Sequence, residues 1–232
     1  MKAVAAQEQA CSCMWELPRK DIWRCERCHV YRKGKQEFVS VTRVSKALLP
    51  TDYAAIDPIT LKIAMVRGIL VDQYFTEWLV QGDDNMIPLA DVPEMIAPQF
   101  PPERTDGTPV DRMRFAIDTA ERTMLLIAWW KAQGWTATAI HRIVYDERAG
   151  VAGETDVETE GRILDLKVVS AIQPNYELQL GGYLELDGGE KQGAVIHVTK
   201  EFVRLVPYNA QRARMRWRSG LDWYWTKEGM LT

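Results

Sequence analysis

The stretch GRILDLKVVS, residues 161–170, places two charged residues inside an otherwise apolar run. Asp165 and Lys167 are two residues apart, and a β-strand directs the side chains of residues i and i+2 to the same face. A strand that is otherwise predicted to be buried therefore carries a carboxylate and an ammonium group side by side. Such a pair calls for a functional explanation, because a charge is costly to bury.

The segments around this stretch predict a sheet covered by helices. Period-two and apolar runs predict strands, and helical spacing that ends at glycine predicts helices. The predicted strands cover residues 139–147, 150–159, 161–169, 193–200 and 202–208. The predicted helices cover residues 60–82, 111–133, 175–186 and 209–225, and a short strand and helix precede them in residues 38–50. This order predicts an α/β (α+β) fold with a central mixed sheet of about five strands flanked by helices.

Two aspartates lie on the second and third predicted strands, which form a hairpin. Asp156 is near the middle of one strand and Asp165 is on the next. Neighbouring strands run ~4.8 Å apart, so two such carboxylates can share a divalent cation, and the carbonyl group of Leu166 can add a ligand. Lys167 beside that cation is well placed to orient or deprotonate a water molecule, or to bind negative charge that develops at phosphorus.

Three short motifs follow one another in this half of the chain. They are G-x-x-D at 153–156, D-x-K at 165–167 and Q-x-x-x-Y at 179–183. In order and spacing they resemble the PD-(D/E)XK nuclease superfamily, in particular its RecB-like and phage exonuclease branch, over about residues 38–227. The segments SVTRVSKALLP and RGILVDQYF resemble earlier parts of the same family. The resemblance implies a restriction-endonuclease-like core.

The resemblance also implies roles for individual residues. Asp156 and Asp165 would bind Mg²⁺ or Mn²⁺, and Lys167 would be the catalytic lysine. Gln179 and Tyr183, which lie four residues apart on one helical face, occupy the positions where the family contacts DNA near the cleaved phosphate.

One position departs from the family pattern. The histidine that often binds metal in the family's R-G-x-x-V-H segment is Asp72 in this chain. Aspartate oxygen also suits Mg²⁺ or Mn²⁺, so we expect Asp72 to be a ligand; the alternative is that it only faces a polar pocket. Glu147 matches an acidic position before the second motif, and we expect it to support the ligands without binding the metal.

All four cysteines lie close together near the N-terminus. Their spacing is C-x-C, eleven residues, then C-x-x-C, and the residues are Cys11, Cys13, Cys25 and Cys28. Two close pairs of thiolates can form a tetrahedral Zn²⁺ site; an iron–sulfur cluster and free thiols are the alternatives. We therefore predict a zinc-binding module in residues 1–36, which either contacts DNA or only stabilises a short segment, and a nuclease domain in residues 37–232.

Charge is distributed unevenly along the chain. Residues 1–47 contain ten Lys and Arg against five Asp and Glu, and residues 201–232 contain six against three, although the formal net charge is −3. Basic ends around an acidic centre fit a protein that contacts a polyanion with its periphery and a metal with its middle. Arg212 and Arg216 in the last helix are the expected phosphate contacts, and a solvated surface is the alternative.

Composition limits the class of protein. Hydrophobic residues make up 47% of the chain and charged residues 26%, which is typical of a soluble globular domain. No apolar run approaches the ~18 residues that span a bilayer, and MKAVAAQEQACSC does not resemble a signal peptide. We therefore expect no membrane contact and a cytoplasmic location, either nucleoid-associated or in a phage-infected host cell, and the oligomeric state stays open.

Some polar residues are expected to have no part in the site. His141 and His197 lie on apolar strands, where a structural role is the more common one. Glu154 and Glu158 are expected to be surface charges on the strand that carries Asp156.

The expected function is that of a Mg²⁺- or Mn²⁺-dependent DNA nuclease. An exonuclease in recombination or DNA end processing is the first hypothesis, with DNA as the partner and recombination or replication proteins as further candidates. The alternative of another class is a nucleic-acid-binding module of a larger complex, in which Asp72 marks a weakened site.

The cysteine spacing generates the first prediction. About one zinc ion per chain should copurify with the protein, because two pairs of thiolates complete a tetrahedral site. Metal analysis of the purified protein together with its visible spectrum measures this. Iron in the analysis and a brown colour would contradict the zinc assignment.

Overall fold

A computed structural model of the 232-residue chain describes residues 22–25, 30–82, 103 and 107–229. The strands are β1 (Trp23–Arg24), β2 (Tyr31–Lys33), β3 (Gln36–Ser40), β4 (Ala139–Asp146), β5 (Val151–Thr159), β6 (Arg162–Val168), β7 (Gln192–Val198) and β8 (Val203–Tyr208). The helices are α1 (Val41–Leu48), α2 (Pro58–Gln81), α3 (Arg112–Gln133), α4 (Asn175–Asp187) and α5 (Ala210–Lys227). In the described part of the chain, no helix is long and apolar enough to cross a membrane.

The described strands form one mixed sheet with β5 at its centre. The order is β1-β2-β3-β5-β6-β7-β8, and β4 pairs with β5. The pairs β3–β5 and β6–β7 are parallel and the others are antiparallel. Strands β4 to β8 match the five strands predicted from the sequence, and the sheet is larger because β1, β2 and β3 extend it.

Strand β5 has different partners along its two edges. On one edge it pairs with β4 from Val151 to Glu158. On the other edge β3 pairs with its first two residues and β6 with its last three, from Val157 to Thr159. Residues 153–156, which contain the G-x-x-D motif, therefore face a gap between β3 and β6 on that edge.

Helices cover both faces of the sheet, as the alternation of apolar residues predicts. One buried cluster joins α1, α4 and α5 to the sheet, and it includes Val41, Leu180 and Trp217. A second buried cluster joins α2 and α3 to the opposite face through residues such as Phe75 and Leu126. The fold class predicted from the sequence, an α/β fold with a mixed sheet flanked by helices, is confirmed.

Helix ends follow the capping residues that the sequence supplies. The Asp111 side chain accepts a hydrogen bond from the Arg114 N–H at the start of α3, and Gly134 ends that helix with φ of 63°. Asn209 caps the start of α5 in the same way. These are residue types that favour helix boundaries for local reasons, which explains why the predicted boundaries agree with the structure.

Glycines let α4 pack closely against its neighbours. A Cβ atom on Gly181 would lie 2.2 Å from the backbone oxygen of Ala213 in α5, and one on Gly182 would lie 2.7 Å from Val41 in α1. A Cβ atom on Gly153 of β5 would lie 2.7 Å from the Tyr183 ring. Side chains at these positions would force the elements apart, so the glycines fix the position of the Q-x-x-x-Y helix on β5.

Glu158 is the centre of a buried ion-pair network that joins β4, β5 and the end of α4. It is 1% exposed, which corrects the expectation of a surface charge. Its carboxylate accepts hydrogen bonds from Arg142 at 2.8 Å, Thr155 at 2.8 Å and Lys191 at 2.7 Å. Burial alone raises the pKa of Glu158, but the hydrogen bonds from Arg142 and Lys191 outweigh it and hold the pKa below its usual value.

This network predicts a pH-dependent loss of stability. Glu158→Gln should lower the free energy of unfolding by about 2 kcal/mol at pH 7, because the partly buried Arg142 and Lys191 lose one of their two carboxylate partners and keep only Asp187. A carboxylate with a lowered folded-state pKa stabilises the fold above its unfolded pKa, and this contribution disappears as pH falls through the folded-state value. The difference between wild type and variant in urea unfolding should therefore shrink in acid.

The exposed Glu160 on the same hairpin provides the control. Glu160→Gln should change the free energy of unfolding by less than about 0.5 kcal/mol. Equal effects of the two substitutions at pH 7 would contradict the structural role of Glu158.

Candidate active site

Asp156 lies in the gap where β5 and β6 separate. Its Oδ2 atom accepts a hydrogen bond from the backbone N–H of Leu166 at 2.6 Å. The carboxylate takes the place of a strand partner for that N–H group, and in return the bond fixes Asp156 beside β6. The predicted proximity of the two motif strands at Asp156 is thus present in the structure, and the metal-binding role of the Leu166 carbonyl stays a prediction.

Asp165 and Lys167 form the adjacent ion pair that the alternation of the strand predicts. The Lys167 Nζ atom lies 2.7 Å from Asp165 Oδ2, within ion-pair distance. The lysine ammonium also lies 5.3 Å from the centre of the Tyr176 ring, within cation–π range. Asp165 is 1% exposed, so its carboxylate is held away from bulk water, whereas the Lys167 side chain is partly exposed.

Burial and mutual repulsion alter the ionisation of this cluster. Burial, and then the charge of Asp156, raise the pKa of Asp72 to about 7. Burial raises the pKa of Asp165 to about 6, against the opposing effect of Lys167. Burial also acts to lower the pKa of Lys167, but the charges of Asp165 and Asp156 outweigh it and raise that pKa. Lys167 is therefore an ammonium ion at neutral pH.

The carboxylates fit a divalent cation by their chemistry. The Oδ1 atoms of Asp72 and Asp165 are buried and accept no hydrogen bond within the described residues. Oxygen ligands of this kind suit Mg²⁺ or Mn²⁺. Among the described residues, no three His, Cys, Asp or Glu side chains are already grouped closely enough to hold one ion. The aspartates would therefore have to draw together around a cation.

His141 belongs to this site, which corrects the expectation that it is a purely structural residue. The pairing of β4 with β5 places it directly opposite Asp156. Its Nε2 atom lies 3.6 Å from Asp72 Oδ2, and its Nδ1 atom lies 3.3 Å from Glu154 Oε1. The hydrogen bond to Glu154, and next the charge of Asp72, raise the pKa of His141 against the effect of burial. Counting residues back across the predicted hairpin would have found this position.

The other predicted structural histidine does have that role. The His197 ring is 1% exposed, and its Nε2 atom lies 2.8 Å from the backbone oxygen of Val169. The two histidines look alike in sequence, since each lies on an apolar strand. Only their neighbours across the sheet distinguish them.

Gln179 and Tyr183 contact each other on one face of α4, as their spacing predicts. The Gln179 amide donates to the Tyr183 hydroxyl at 2.7 Å and to the Thr42 hydroxyl at 3.3 Å. Gln179 is 8% exposed and Tyr183 is 3% exposed. The pair therefore braces α4 against α1, and its contact with DNA stays a prediction.

Glu147 does not reach the site. It lies in the turn after β4, where its side chain is 53% exposed and pairs with Lys33 at 2.7 Å. Six residues of extended chain, ~20 Å, separate it from His141. The expectation that Glu147 supports the metal ligands is therefore wrong, because the turn that carries it lies beyond the end of β4 that is far from His141.

Arg212 and Arg216 share one buried carboxylate. Arg212 lies 2.6 Å from Glu177, and Arg216 forms an ion pair with the other oxygen of the same residue. Two guanidinium groups and one carboxylate leave a net positive charge on this face of α5. Binding of phosphate by the two arginines stays a prediction.

The predicted zinc site falls mostly outside the described residues. Cys11, Cys13 and Cys28 lie in segments that the structure does not describe. Cys25 is buried, and its backbone N–H donates to the carbonyl group of Val30 at 2.9 Å. The zinc assignment and the boundary at residue 36 therefore stay predictions.

A solved structure shares the fold of this chain. The crystal structure of a "putative exonuclease" from Eubacterium rectale matches it with a TM-score of 0.50 and 18% identity, covering 84% of this chain and 83% of that one. An alkaline exonuclease from Laribacter hongkongensis matches with a TM-score of 0.37 and 10% identity, covering 84% and 95%. No family model and no curated protein matches the sequence. At 18% identity the first likeness establishes a common fold.

The raised pKa of Asp72 predicts a gain in stability when its charge is removed. A carboxyl group with a folded-state pKa of about 7 destabilises the fold at higher pH, where it must ionise. In EDTA at pH 8, Asp72→Asn should therefore have a higher melting temperature than wild type. Mn²⁺ should raise the melting temperature of wild type more than that of the variant.

Thermal unfolding with and without Mn²⁺ measures both effects. Asp222→Asn, at an exposed position of α5, is the matched control and should behave as wild type. An identical response to Mn²⁺ in wild type and Asp72→Asn would show that Asp72 is not a ligand.

Proposed function

We propose that this protein is a Mg²⁺- or Mn²⁺-dependent DNA nuclease of the PD-(D/E)XK superfamily. The observation that carries the proposal is the ion pair of the buried Asp165 with Lys167 beside Asp156, in a gap of the central sheet. The likeness in fold to a protein described as a "putative exonuclease" supports it. So does the order of the three motifs that meet at this gap.

Three aspartates and one carbonyl group would hold the cation. Asp72, Asp156 and Asp165 supply carboxylate oxygens, and the Leu166 carbonyl is a further candidate. When bound, the ion supplies positive charge that favours attack of water on a phosphodiester. His141 and Lys167 keep the carboxylates in place, since each lies against one of them.

Lys167 stabilises negative charge on the phosphate during cleavage. Its pKa is raised, so the side chain carries a proton at neutral pH and does not act as a base in this state. Asp165 and Tyr176 hold the ammonium group in position from two sides. A fixed cation inside a site shielded from water stabilises developing charge better than one in solvent.

We further propose that the enzyme acts as an exonuclease in recombination or DNA end processing. Arg212 and Arg216, with Gln179 and Tyr183, are the proposed DNA contacts. For this role we also propose a cytoplasmic location and partner proteins of recombination or replication. End-labelled linear DNA and closed circular DNA distinguish the modes of cleavage, because an exonuclease degrades only the linear form.

The N-terminal cysteines are proposed to bind Zn²⁺ in a structural role. Their spacing as two close pairs of thiolates supports this. The basic residues of the same segment would add positive charge for contact with nucleic acid.

A nucleic-acid-binding module with a weakened site is the second candidate. It is favoured by Asp72 in place of the family's histidine, and by the lack of a ready-made group of three metal ligands in the described residues. DNA binding without cleavage at any Mg²⁺ or Mn²⁺ concentration would favour this candidate over the nuclease.

Substitution of Lys167 tests the nuclease proposal. Lys167→Ala should slow cleavage by about 10²- to 10³-fold, because a fixed positive charge is lost, and should bind DNA as tightly as wild type. Cleavage of end-labelled DNA in Mn²⁺ and binding in Ca²⁺ measure the two properties. The exposed Lys200 supplies the control, and Lys200→Ala should retain both.

If Lys167→Ala loses DNA binding and cleavage in parallel, Lys167 only binds phosphate and has no separate role in cleavage. Full cleavage by a pure Asp165→Ala protein would overturn the assignment of the active site.

A further inference from the structure

Four charged side chains form a line of contacts that ends at the candidate active site. Arg24 Nη1 lies 3.1 Å from Glu154 Oε1, and the same oxygen lies 3.3 Å from His141 Nδ1. The other ring nitrogen, Nε2, lies 3.6 Å from Asp72 Oδ2. The four residues come from β1, β5, β4 and α2, and we call them the contact chain.

The contact chain alternates between basic and acidic groups and is shielded from solvent. Glu154 is mostly buried, and Arg24, His141 and Asp72 are each less than one-third exposed. Groups in such surroundings interact more strongly than surface ion pairs do. The position of each member therefore depends on its neighbours, and Arg24 is the member farthest from the metal ligands.

The backbone at His141 adopts an unusual conformation that agrees with this role. Its φ is 48°, and it is the one residue other than glycine with a positive φ in the described part of the chain. This conformation is unfavourable for a residue with a Cβ atom. His141 lies across the β4–β5 pair from Asp156, and its ring there reaches both Asp72 and Glu154.

The residues around Arg24 hold β1 in a fixed place on the sheet. Ile22 packs in a buried cluster with Tyr31, Phe38 and Ala152, and Ile143 of β4 lies against the same cluster. Arg24 pairs with Tyr31 in the β1–β2 ladder. The N-terminal strands are thus packed onto β4 and β5, the two strands that carry the site.

We propose that Arg24, Glu154 and His141 are positioning residues that hold Asp72 in the active site, so that the N-terminal strand β1 is part of that site. The inference rests on the proposed function, since it takes Asp72 to be a metal ligand. Residues that orient ligands from behind commonly change metal affinity without touching the metal. The contact chain would transmit a change at Arg24 to Asp72 across three elements.

Nuclear magnetic resonance of the histidine rings tests the contacts without metal. The chain has three histidines, so ¹⁵N-histidine labelling gives a simple spectrum, and His141→Gln identifies the signals of His141. In metal-free protein, Arg24→Gln and Glu154→Gln should both shift the ring-nitrogen signals of His141. Arg32→Gln is the matched control, because it removes a neighbouring arginine that pairs with Glu37, and it should leave them unchanged.

Unchanged His141 signals in folded Arg24→Gln would overturn the proposal. If Arg24→Gln does not fold, Arg24→Lys provides the test, since it keeps the charge but changes the reach of the side chain. A shift of the His141 signals in Arg24→Lys supports the contact chain, and signals identical to wild type contradict it.

Isothermal titration with Mn²⁺ measures the consequence for the metal site. His141→Gln and Glu154→Gln should weaken Mn²⁺ binding about tenfold, and Arg24→Gln should weaken it in the same direction, while Arg32→Gln should not. The double variant Arg24→Gln/His141→Gln should bind no more weakly than His141→Gln alone, because both act through one chain. Fully additive losses would contradict the inference.

The two proposals fail in different ways. A wild-type protein that binds no Mn²⁺, while Arg24→Gln still shifts the His141 signals, would contradict the proposed function and support the contact chain. A wild-type protein that binds Mn²⁺ and cleaves DNA, with both unchanged in Glu154→Gln and Arg24→Gln, would overturn the inference alone.

Discussion

The candidate site depends on strand β5 having two different partners along one edge. β3 pairs with its beginning and β6 with its end, so the middle of that edge faces a gap. Backbone groups beside the gap need other partners, and the Asp156 carboxylate accepts the Leu166 N–H in place of a strand. The same separation of β5 from β6 leaves room for polar side chains in the centre of the sheet, where Asp165 and Lys167 flank Leu166, the residue whose N–H bonds to Asp156.

Three carboxylates of the sheet and its covering helices, Glu158, Asp72 and Asp165, differ in the direction of their pKa shifts. Glu158 lies between Arg142 and Lys191, and its pKa is lowered, so its charge stabilises the fold. Asp72 and Asp165 have raised pKa values, so their charges oppose folding at neutral pH. A fold retains such a cost where function requires it. The excess of negative charge is what a divalent cation would neutralise.

Local rules account for the parts of the structure that the sequence predicts well. Asp111, Gly134 and Asn209 mark helix ends because capping depends only on nearby backbone groups. The adjacency of Asp165 and Lys167 follows from the two-residue period of a strand. The role predicted for Glu147 is wrong because it depends on more than local rules. Similarity of a motif places a residue along the chain, but the direction of β4 decides whether its side chain reaches the gap.

Long-range pairing accounts for what the sequence does not predict. His141 lies opposite Asp156 through the register of two strands, whereas Arg24 and Glu154 are 130 residues apart and meet only because β1 to β3 extend the sheet. Composition separates the cysteine-rich N-terminus from the rest of the chain, yet Arg24 pairs with a residue of the G-x-x-D motif strand. A boundary drawn from composition thus divides residues that the folded sheet joins. Because Asp72 is reached through His141, Glu154 and Arg24 in turn, the geometry of the site depends on both sides of that boundary.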